Sequence, residues 1–276
     1  MKPRIKPPGL EFQKVKQILE KYKLYTVCQG AHCPNCSECW SSGTTTFMIL
    51  GDTCTRACRF CSVNHGAKGQ PLDLQEPARL AKAVKELKLK YVVITSVDRD
   101  DLPDKGAKHY GACIDALKRT GVIVEALIPD YQSKELKHVL NADVVGHNLE
   151  TVRRLTPLVR DRRADYDKSL KTLETVKQLK NDIVVKTSLM LGLGETPDEV
   201  IDAVQDAADV GVDVITFGQY LRPTEKQLSV KEWVPEEQFA DYARFASTLG
   251  MVALAGSRVR SSYKAKEAYA EVRHDN

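Results

Sequence analysis

The sequence predicts an α/β protein, a partial (β/α)6 TIM-like barrel, and three observations lead to this fold class. From Thr45 onward, short β-rich runs alternate with amphipathic helical patterns, as expected for parallel strands joined by right-handed crossovers. Runs such as residues 91–94 are almost wholly apolar, which is typical of strands covered on both faces. Six strand–helix units are too few for the eight of a closed barrel.

The predicted elements follow one another in a regular order. A helix over residues 12–22 delivers the chain to the first cysteine. The six predicted strands are residues 45–50, 91–96, 122–127, 142–145, 183–191 and 214–217. The predicted helices are residues 77–87, 107–119, 133–140, 167–179, 198–210 and 236–249. Thr196 and Pro197 have the residue types of a helix cap and first helical position. A further strand-like run at 252–255 lies outside the six units.

The length of 276 residues suits one large α/β domain with appendages. We expect an N-terminal extension over residues 1–44, the barrel over 45–250 and a C-terminal extension over 251–276.

Composition excludes several classes of protein. Hydrophobic residues make up 42% and charged residues 28% of the chain, as in ordinary globular proteins. The net charge of +4 is far from the basic stripe of a nucleic-acid-binding protein. No apolar run is long enough for a membrane span or a signal peptide. We therefore expect a cytoplasmic protein with no nucleic-acid or membrane partner.

Cysteine spacing is the strongest functional signal. Seven of the eight cysteines fall between positions 28 and 61, which in a reducing compartment favours metal ligation. Cys54, Cys58 and Cys61 are spaced to hold three corners of a cubane cluster, leaving one iron open to a substrate. The alternative is a zinc site with His65 as a possible fourth ligand.

This Cys-x3-Cys-x2-Cys motif, directly after the first predicted strand and with Phe60 before its third cysteine, resembles the signature of the radical S-adenosylmethionine superfamily. The resemblance implies that the open iron chelates the methionine moiety of S-adenosylmethionine. One electron from the cluster then yields a 5′-deoxyadenosyl radical, which can take hydrogen from an unactivated C–H bond.

A second cysteine motif narrows the resemblance. Cys28, Cys33 and Cys39 precede the first motif, and the segments 95–103, 147–151, 191–195, 218–224 and 260–263 occur in the same order as in the lipoyl synthase family. The similarity to that family runs from about residue 26 to residue 264. Trp40 and Phe47 are expected to pack between the cluster and the barrel.

Membership of that family implies a sulfur-inserting transferase with two [4Fe-4S] clusters. Cys28, Cys33 and Cys39 would bind the auxiliary cluster with an oxygen of Ser262 or, as the alternative, Ser261. The N-terminal and C-terminal extensions are therefore expected to surround this auxiliary iron–sulfur cluster. Two S-adenosylmethionines would be used to place sulfur from this cluster at C6 and C8 of a protein-bound octanoyl-lysine. The implied partners are an octanoylated lipoyl carrier domain (a dehydrogenase E2 subunit or the glycine cleavage H protein) and a one-electron donor such as ferredoxin or flavodoxin.

Other candidate site residues lie at predicted strand ends. Contacts with S-adenosylmethionine are expected from Asn148, Glu150, Gly192, Gly194 and Glu195. The segment 98–101, with Asp98, Arg99, Asp100 and Asp101, could bind the methionine amino group, orient the acyl-lysine or form structural salt bridges. Five arginines, Arg153, Arg154, Arg160, Arg162 and Arg163, are interpreted mainly as a solvated helix face, and the alternative is a docking surface for an acidic carrier domain.

Three questions stay open at this point. Cys36 departs from the family pattern, and either competes as a ligand or fills space. Cys113, His109 and His138 are interpreted as ordinary helix residues. The alternatives to the function above are another two-cluster radical enzyme, either biotin-synthase-like or a dehydrogenase, and a non-enzymatic iron–sulfur or zinc protein.

Overall fold

The structure of the chain, a computed structural model, describes residues 10–41 and 45–274. The described residues form two compact units. The N-terminal unit contains Cys61–Asp143 and the described residues before Cys58, and the C-terminal unit contains Cys58–Phe60 and the described residues from Val144 onward. The predicted boundary at residue 44 lies outside the described residues.

The N-terminal unit alternates helices with short strands. Its elements are α1 (Leu10–Tyr22), β1 (Tyr25–Thr26), α2 (Val27–Gly30), α3 (Cys36–Ser41), β2 (Thr46–Ile49), β3 (Thr53–Cys54), β4 (Asn64–His65), α4 (Glu76–Leu87), β5 (Tyr91–Ser96), α5 (Ala107–Lys118), β6 (Ile123–Leu127) and α6 (Ser133–Leu136).

The C-terminal unit continues the alternation, with a short 3-10 helix at Arg153–Leu155. Its other elements are β7 (Val144–Gly146), α7 (Thr156–Val159), α8 (Tyr166–Leu179), β8 (Val184–Leu191), α9 (Pro197–Asp209), β9 (Val214–Gln219), α10 (Glu236–Thr248), β10 (Val252–Gly256) and α11 (Ala265–His274).

Strand pairing in the N-terminal unit places the first cysteine segment against β2. β2, β5 and β6 pair in parallel, and β1 pairs antiparallel to β2 with Thr26 opposite Phe47. Since α2 begins directly after β1, continuing this register brings Cys28 close to the residues that lead into β2. The parallel strands β2, β5 and β6 are largely buried, including all four residues of β2.

In the C-terminal unit, β7, β8, β9 and β10 pair in parallel in chain order. α11 covers them: Ala268 is buried in a cluster with Val144, Val184 and Val214. The strand-like run at 252–255 is therefore confirmed as β10, a parallel strand beyond the six predicted. The sequence analysis did not predict α11.

The predicted fold class is confirmed by these elements, since all six predicted strands occur in order as β2 and β5–β9. The capping at Thr196 is also confirmed, because its side chain accepts from the Glu199 N–H while the Glu199 carboxylate accepts from the Thr196 N–H. The helix predicted over 133–140 is wrong in length, because α6 ends at Leu136. After it, Val139 N–H donates to Leu136 O, an i+3 bond of a tighter turn.

No helix among the described residues combines the length and apolar character that crossing a membrane requires.

Candidate active site

The cysteine loop begins where β2 ends. Leu50 and Gly51 both have positive φ, 68° and 93°, so the chain leaves the strand through a sharp left-handed turn. Cys54 then lies in β3, which pairs in parallel with β4. Cys54 is opposite His65 in this pairing. Such a loop at a strand's carboxyl end is where α/β barrels carry their chemistry.

Each sulfur of this loop accepts a backbone N–H. Cys54 Sγ lies 3.3 Å from the Asp98 nitrogen and 3.4 Å from the Arg56 nitrogen, and Cys61 Sγ lies 3.5 Å from the Val63 nitrogen. In the C-terminal unit, the Asp161 nitrogen lies 3.3 Å from Cys58 Sγ. N–H donors stabilise negative charge on sulfur, so this donor set fits thiolate ligands of an iron–sulfur cluster.

Arg56 anchors the loop from within. Its side chain is only 5% exposed and donates to Asp100, with Nε–Oδ2 and Nη2–Oδ1 distances of 2.9 and 3.0 Å. It also pairs with Asp98 at 3.3 Å and with the buried Asp130. Burial disfavours the charged guanidinium, but the Asp100, Asp98 and Asp130 carboxylates outweigh burial and raise the pKa of Arg56.

Arg56 was not predicted as a site residue, although its place between Cys54 and Cys58 is a signal in the sequence that could have found it. Structural salt bridges are confirmed in the segment 98–101, since Asp101 also pairs with Arg99 at 2.8 Å. Its contacts with the methionine amino group or the acyl-lysine stay predictions. The hydrogen bonds from Arg99 are the main reason that the pKa of the Asp101 carboxyl is lowered.

The upstream segment surrounds Cys28 with donors. Burial raises the pKa of the Cys28 thiol, while the Thr46 N–H, the Trp40 indole and the Thr45 hydroxyl oppose that rise. Within the described residues, Trp40 Nε1 and Thr45 Oγ1 are buried and have no conventional hydrogen-bond partner. Both donors lie next to the Cys28 sulfur, and a thiolate held in a metal site would accept from them.

Cys36 lies among the other thiols of its segment. Burial, followed by the proximity of Cys28, Cys33 and Cys39, raises the pKa of Cys36 to about 12. The structure therefore brings the four cysteines together, including the one that departs from the family spacing. Trp40 itself packs against Phe12, with ring centroids 4.9 Å apart.

No disulfide joins any of the eight cysteines, all of which are among the described residues. Two groups of thiols with nearby N–H donors are the donor chemistry that iron–sulfur clusters require. The residues present therefore fit two such clusters.

Asn148 and Glu150 follow β7 and contact one another, with Nδ2–Oε1 3.1 Å apart. Glu150 has a positive φ of 68°, and its backbone is fixed by Ser188 and Met190 of β8. Burial raises the pKa of the Glu150 carboxyl, against the opposing effects of Arg160, Asn148 and His147. This pair offers a half-buried amide and carboxyl at a strand end, as expected for a polar ligand contact.

The glycine turn after β8 is held by Glu195. Its carboxylate accepts from Gly192 N–H and, at 2.9 Å, from Leu193 N–H. A Cβ at Gly192 would collide with Gln219 and the Glu232 carbonyl oxygen. These contacts give Gly192 and Glu195 a structural role, whereas the space around Gly194 is open except for Lys231 Cγ at 3.8 Å.

The alternative of a docking surface is wrong for one of the five arginines. Arg160 is 8% exposed and donates to Ser169 Oγ at 2.8 Å, so it does not face a partner. Arg162 and Arg163 are exposed, and Arg163 pairs with Asp161 at 2.9 Å.

The C-terminal serines lie in a turn between β10 and α11. Ser261 and Ser262 are half-buried, and the Tyr263 N–H donates to Arg260 O at 2.9 Å. The segment approaches β9 so closely that a Cβ at Gly218 would collide with the Val259 carbonyl oxygen. Their assignment as cluster ligands stays a prediction.

Comparison with known proteins agrees with this site. The profile of the radical SAM superfamily matches residues 48–207, and the chain belongs to that superfamily. Lipoyl synthases of Picrophilus torridus and Methanocella arvoryzae are each 52% identical to this chain over 95% of its length and over 93% and 91% of their own. That of Thermus thermophilus is 50% identical over 96% of this chain and 84% of its own. The chain therefore belongs to the lipoyl synthase family.

Solved structures agree on the fold. The FeFe-hydrogenase maturase HydG from Carboxydothermus hydrogenoformans has a TM-score of 0.63 at 13% identity, covering 95% of this chain and 60% of that one. Methylornithine synthase (PylB) has a TM-score of 0.59 at 14% identity, covering 88% and 68%. These similarities support the predicted partial barrel. The enzymes of the superfamily and family use a [4Fe-4S] cluster and S-adenosylmethionine, so both cofactors expected from the sequence are confirmed.

Proposed function

We propose that this lipoyl synthase family member inserts two sulfur atoms, at C6 and C8, into an octanoyl chain on a lysine of a carrier domain. The observation that carries the proposal is the second group of thiols. Cys28, Cys33 and Cys39 lie near one another, and Cys28 is beside the buried donors of Trp40 and Thr45. This group is additional to the cysteine loop after β2.

In this proposal Cys54, Cys58 and Cys61 hold the first cluster. A cluster on three thiolates, with S-adenosylmethionine at its open iron, supplies a radical that takes hydrogen from carbon. The chain's own contribution is to fix the loop: Arg56 binds Asp100, and the Asp98 N–H reaches Cys54 Sγ.

Cys28, Cys33 and Cys39 hold the auxiliary cluster, with Ser262 as fourth ligand and Ser261 as the alternative. A serine oxygen is a harder ligand than a thiolate and suits iron less well, so this corner is the one that opens when sulfur is given up. Residues 1–44 and 251–276 are accordingly the extensions that complete the auxiliary site around the central 45–250.

Asn148, Glu150 and Gly194 are proposed to contact S-adenosylmethionine. The Asn148–Glu150 pair offers donor and acceptor atoms, and the open space at Gly194 allows backbone approach. Gly192 and Glu195 contribute indirectly, because their contacts fix the backbone conformation of the turn that contains Gly194.

The partners follow from the reaction. The substrate is an octanoylated lipoyl carrier domain, of a dehydrogenase E2 subunit or the glycine cleavage H protein, and a one-electron donor such as ferredoxin or flavodoxin reduces the first cluster. Thiols without disulfides suit a reducing compartment, and we place the activity in the cytoplasm, with no nucleic-acid or membrane partner.

The test is anaerobic turnover of reconstituted protein with an octanoyl-lysine carrier. Wild type should hold about eight irons by the two-cubane count and yield the dithiolated product with loss of auxiliary iron. Ser262→Ala should still cleave S-adenosylmethionine but lose sulfur insertion, while the matched Ser261→Ala should retain it. Wild-type protein that cleaves S-adenosylmethionine and never adds sulfur would contradict the proposed function.

A further inference from the structure

A buried polar cluster lies beside the cysteine loop, outside every motif considered above. The ligand atoms of Glu76, His109 and Cys113 lie within 4.8 Å of one another, and all three residues are buried. This cluster does not need a metal, because Glu76 Oε2 already lies 2.7 Å from His109 Nε2 and 3.1 Å from the Leu50 nitrogen. The Leu50 N–H donates to this oxygen, and His109 donates to it in the tautomer that carries the proton on Nε2.

The carbonyl group of Leu50 also accepts a hydrogen bond from a buried side chain. Arg99 Nη1 donates to the Leu50 carbonyl oxygen at 3.2 Å. Leu50, Glu76, His109 and Arg99 are 3%, 5%, 7% and 3% exposed, so water does not compete for these hydrogen bonds. Two buried charged side chains, Glu76 and Arg99, therefore hold the N–H and the C=O of one residue.

That residue is in a conformation that leucine rarely adopts. Leu50 has a φ of 68°, in the left-handed region, which crowds a side chain and persists only where surrounding contacts enforce it. Such strained positions cluster at functional sites, and Leu50 is the residue at which β2 turns into the cysteine loop.

The arginine that completes the grip is itself fixed. Arg99 donates to both Asp101 oxygens, at 2.8 and 2.9 Å. Gly69 passes so close that any Cβ there would collide with the Arg99 guanidinium. The Leu50 side chain packs against Gly106, where a Cβ would lie 2.7 Å from Leu50 Cδ1. The turn is thus supported by packing as well as by charge.

We propose that Glu76, His109 and Arg99 are positioning residues that hold Leu50 in its left-handed conformation and thereby set the course of the loop carrying Cys54, Cys58 and Cys61. The inference rests on the proposed function in one respect, that these cysteines hold a cluster. Glu76 and His109 are the parts most open to test, because neither contacts a cysteine of the loop and both lie on helices.

The physical consequence is specific. Without the Glu76 carboxylate, the Leu50 N–H loses its buried acceptor and the residue can relax toward ordinary φ values, rotating the chain that follows. Cys54 is only four residues further along the chain. A rotation at Leu50 therefore displaces its sulfur from the position that a cluster held by Cys54, Cys58 and Cys61 requires. The cluster should then be held less firmly even where the protein remains folded.

The experiment compares Glu76→Ala with Asp143→Ala in the full-length protein. Asp143 is a matched control, since it also accepts a strand N–H, that of Val124 at 2.8 Å, and a cation, Lys118 at 2.7 Å. Two readouts are taken: hydrogen exchange of the Leu50 amide in cluster-free protein, and chelator-driven decay of the reduced-cluster electron paramagnetic resonance signal that changes on adding S-adenosylmethionine.

Glu76→Ala should speed both Leu50 exchange and decay of that signal by roughly tenfold, and His109→Ala should have a smaller effect in the same direction. Asp143→Ala should lower Tm while leaving both rates near those of wild type. Equal acceleration by the Glu76 and Asp143 variants would mean that Glu76 contributes general stability only, and would overturn the proposal.

A second comparison uses glycine, which adopts positive φ readily. In a Leu50→Gly background, Glu76→Ala should speed signal decay by only about threefold or less, because the backbone no longer needs to be held. An undiminished effect of Glu76→Ala in that background would also overturn the proposal. If wild type itself shows no signal that responds to S-adenosylmethionine, the proposed function fails. Hydrogen exchange of the Leu50 amide still tests whether Glu76, His109 and Arg99 hold the Leu50 backbone.

Discussion

Ser62 donates its hydroxyl to the carbonyl oxygen of Gly30 at 3.1 Å. Ser62 directly follows Cys61, and Gly30 lies two residues after Cys28, so this hydrogen bond joins the two cysteine segments. His32 Nδ1 lies 3.1 Å from the same hydroxyl. The two proposed cluster sites are therefore linked by one small side chain.

Ser62→Ala should loosen that link. Losing a hydrogen bond of this kind costs about 1 kcal/mol, and we expect lower Tm and faster loss of iron from the auxiliary site. Ser247→Ala removes a comparable bond, to Ala243 O at 3.0 Å, on an exposed helix face and serves as control. The measurements are Tm and iron retained per chain after chelator challenge. Iron loss no faster than in the control would contradict the linkage.

Cys36→Ala should leave the auxiliary cluster in place. The three cysteines of the family spacing supply the thiolates, and Cys36 only packs among them. Iron content, the absorption spectrum and sulfur insertion should match wild type, whereas the matched Cys33→Ala should lose about four irons per chain. Loss of four irons from the Cys36 variant would identify it as a ligand.

Trp40→Phe should change the auxiliary cluster through one missing donor. The indole N–H is buried beside the Cys28 sulfur, and hydrogen bonds to sulfur help set cluster potentials. Because N–H donors favour the more negative, reduced state, removing this donor should lower the reduction potential. Trp233→Phe, at a tryptophan that is 45% exposed, is the control. Identical potentials in both variants would argue against the indole contact.

Glu150→Gln should stabilise the protein at neutral pH. Burial raises the pKa of the Glu150 carboxyl above its ordinary 4.5, so ionisation favours the unfolded chain as pH rises past that value. Tm of the variant should exceed that of wild type by roughly 2 °C at pH 7.5, and the two should converge below pH 4.5. The same variant should bind S-adenosylmethionine more weakly. A Tm difference independent of pH would refute the first expectation.

Glu199→Gln should have the opposite pH dependence. Hydrogen bonds, first from Arg154 and then from the Thr196 N–H, lower the pKa of Glu199 from 4.5 to about 2. Its stabilisation is therefore present above pH 4.5 and lost as the pH falls towards 2. Because Arg154 is half exposed, the variant should lose only about 1 kcal/mol at pH 7. Unfolding of cluster-free protein at pH 7 and 3 measures the difference, which should be smaller at pH 3.

The sequence predicted the order of strands because buried parallel strands read as short apolar runs between amphipathic helices. Helix ends were predictable where side chains cap them, as at Thr196. The short elements α2 and α3 were not, since they are fixed by tertiary contacts such as Phe12 on Trp40. Propensity over a few residues is too weak to reveal them.

For the site, the spacing of the cysteines predicted them as ligand candidates. It did not predict the side chains that fix the cysteine segments in place. Arg56 pairs with Asp130, which lies 74 positions away, and no local pattern encodes that contact. His109 was interpreted as an ordinary helix residue, and only the fold brings it to Glu76 on the neighbouring helix. The burial of Arg160 was likewise invisible in a run of arginines.

The close approach of Val259 to Gly218 makes the position of the C-terminal serines depend on which residue stands at position 218. With a main-chain oxygen of Val259 occupying the room of a side chain, even a single added methyl group must push the tail away from β9. Any lineage that changes residue 218 must therefore re-fit residues 259–262 at the same time, and an engineer who wishes to redirect the terminal serines can begin from a position that contains no side chain at all.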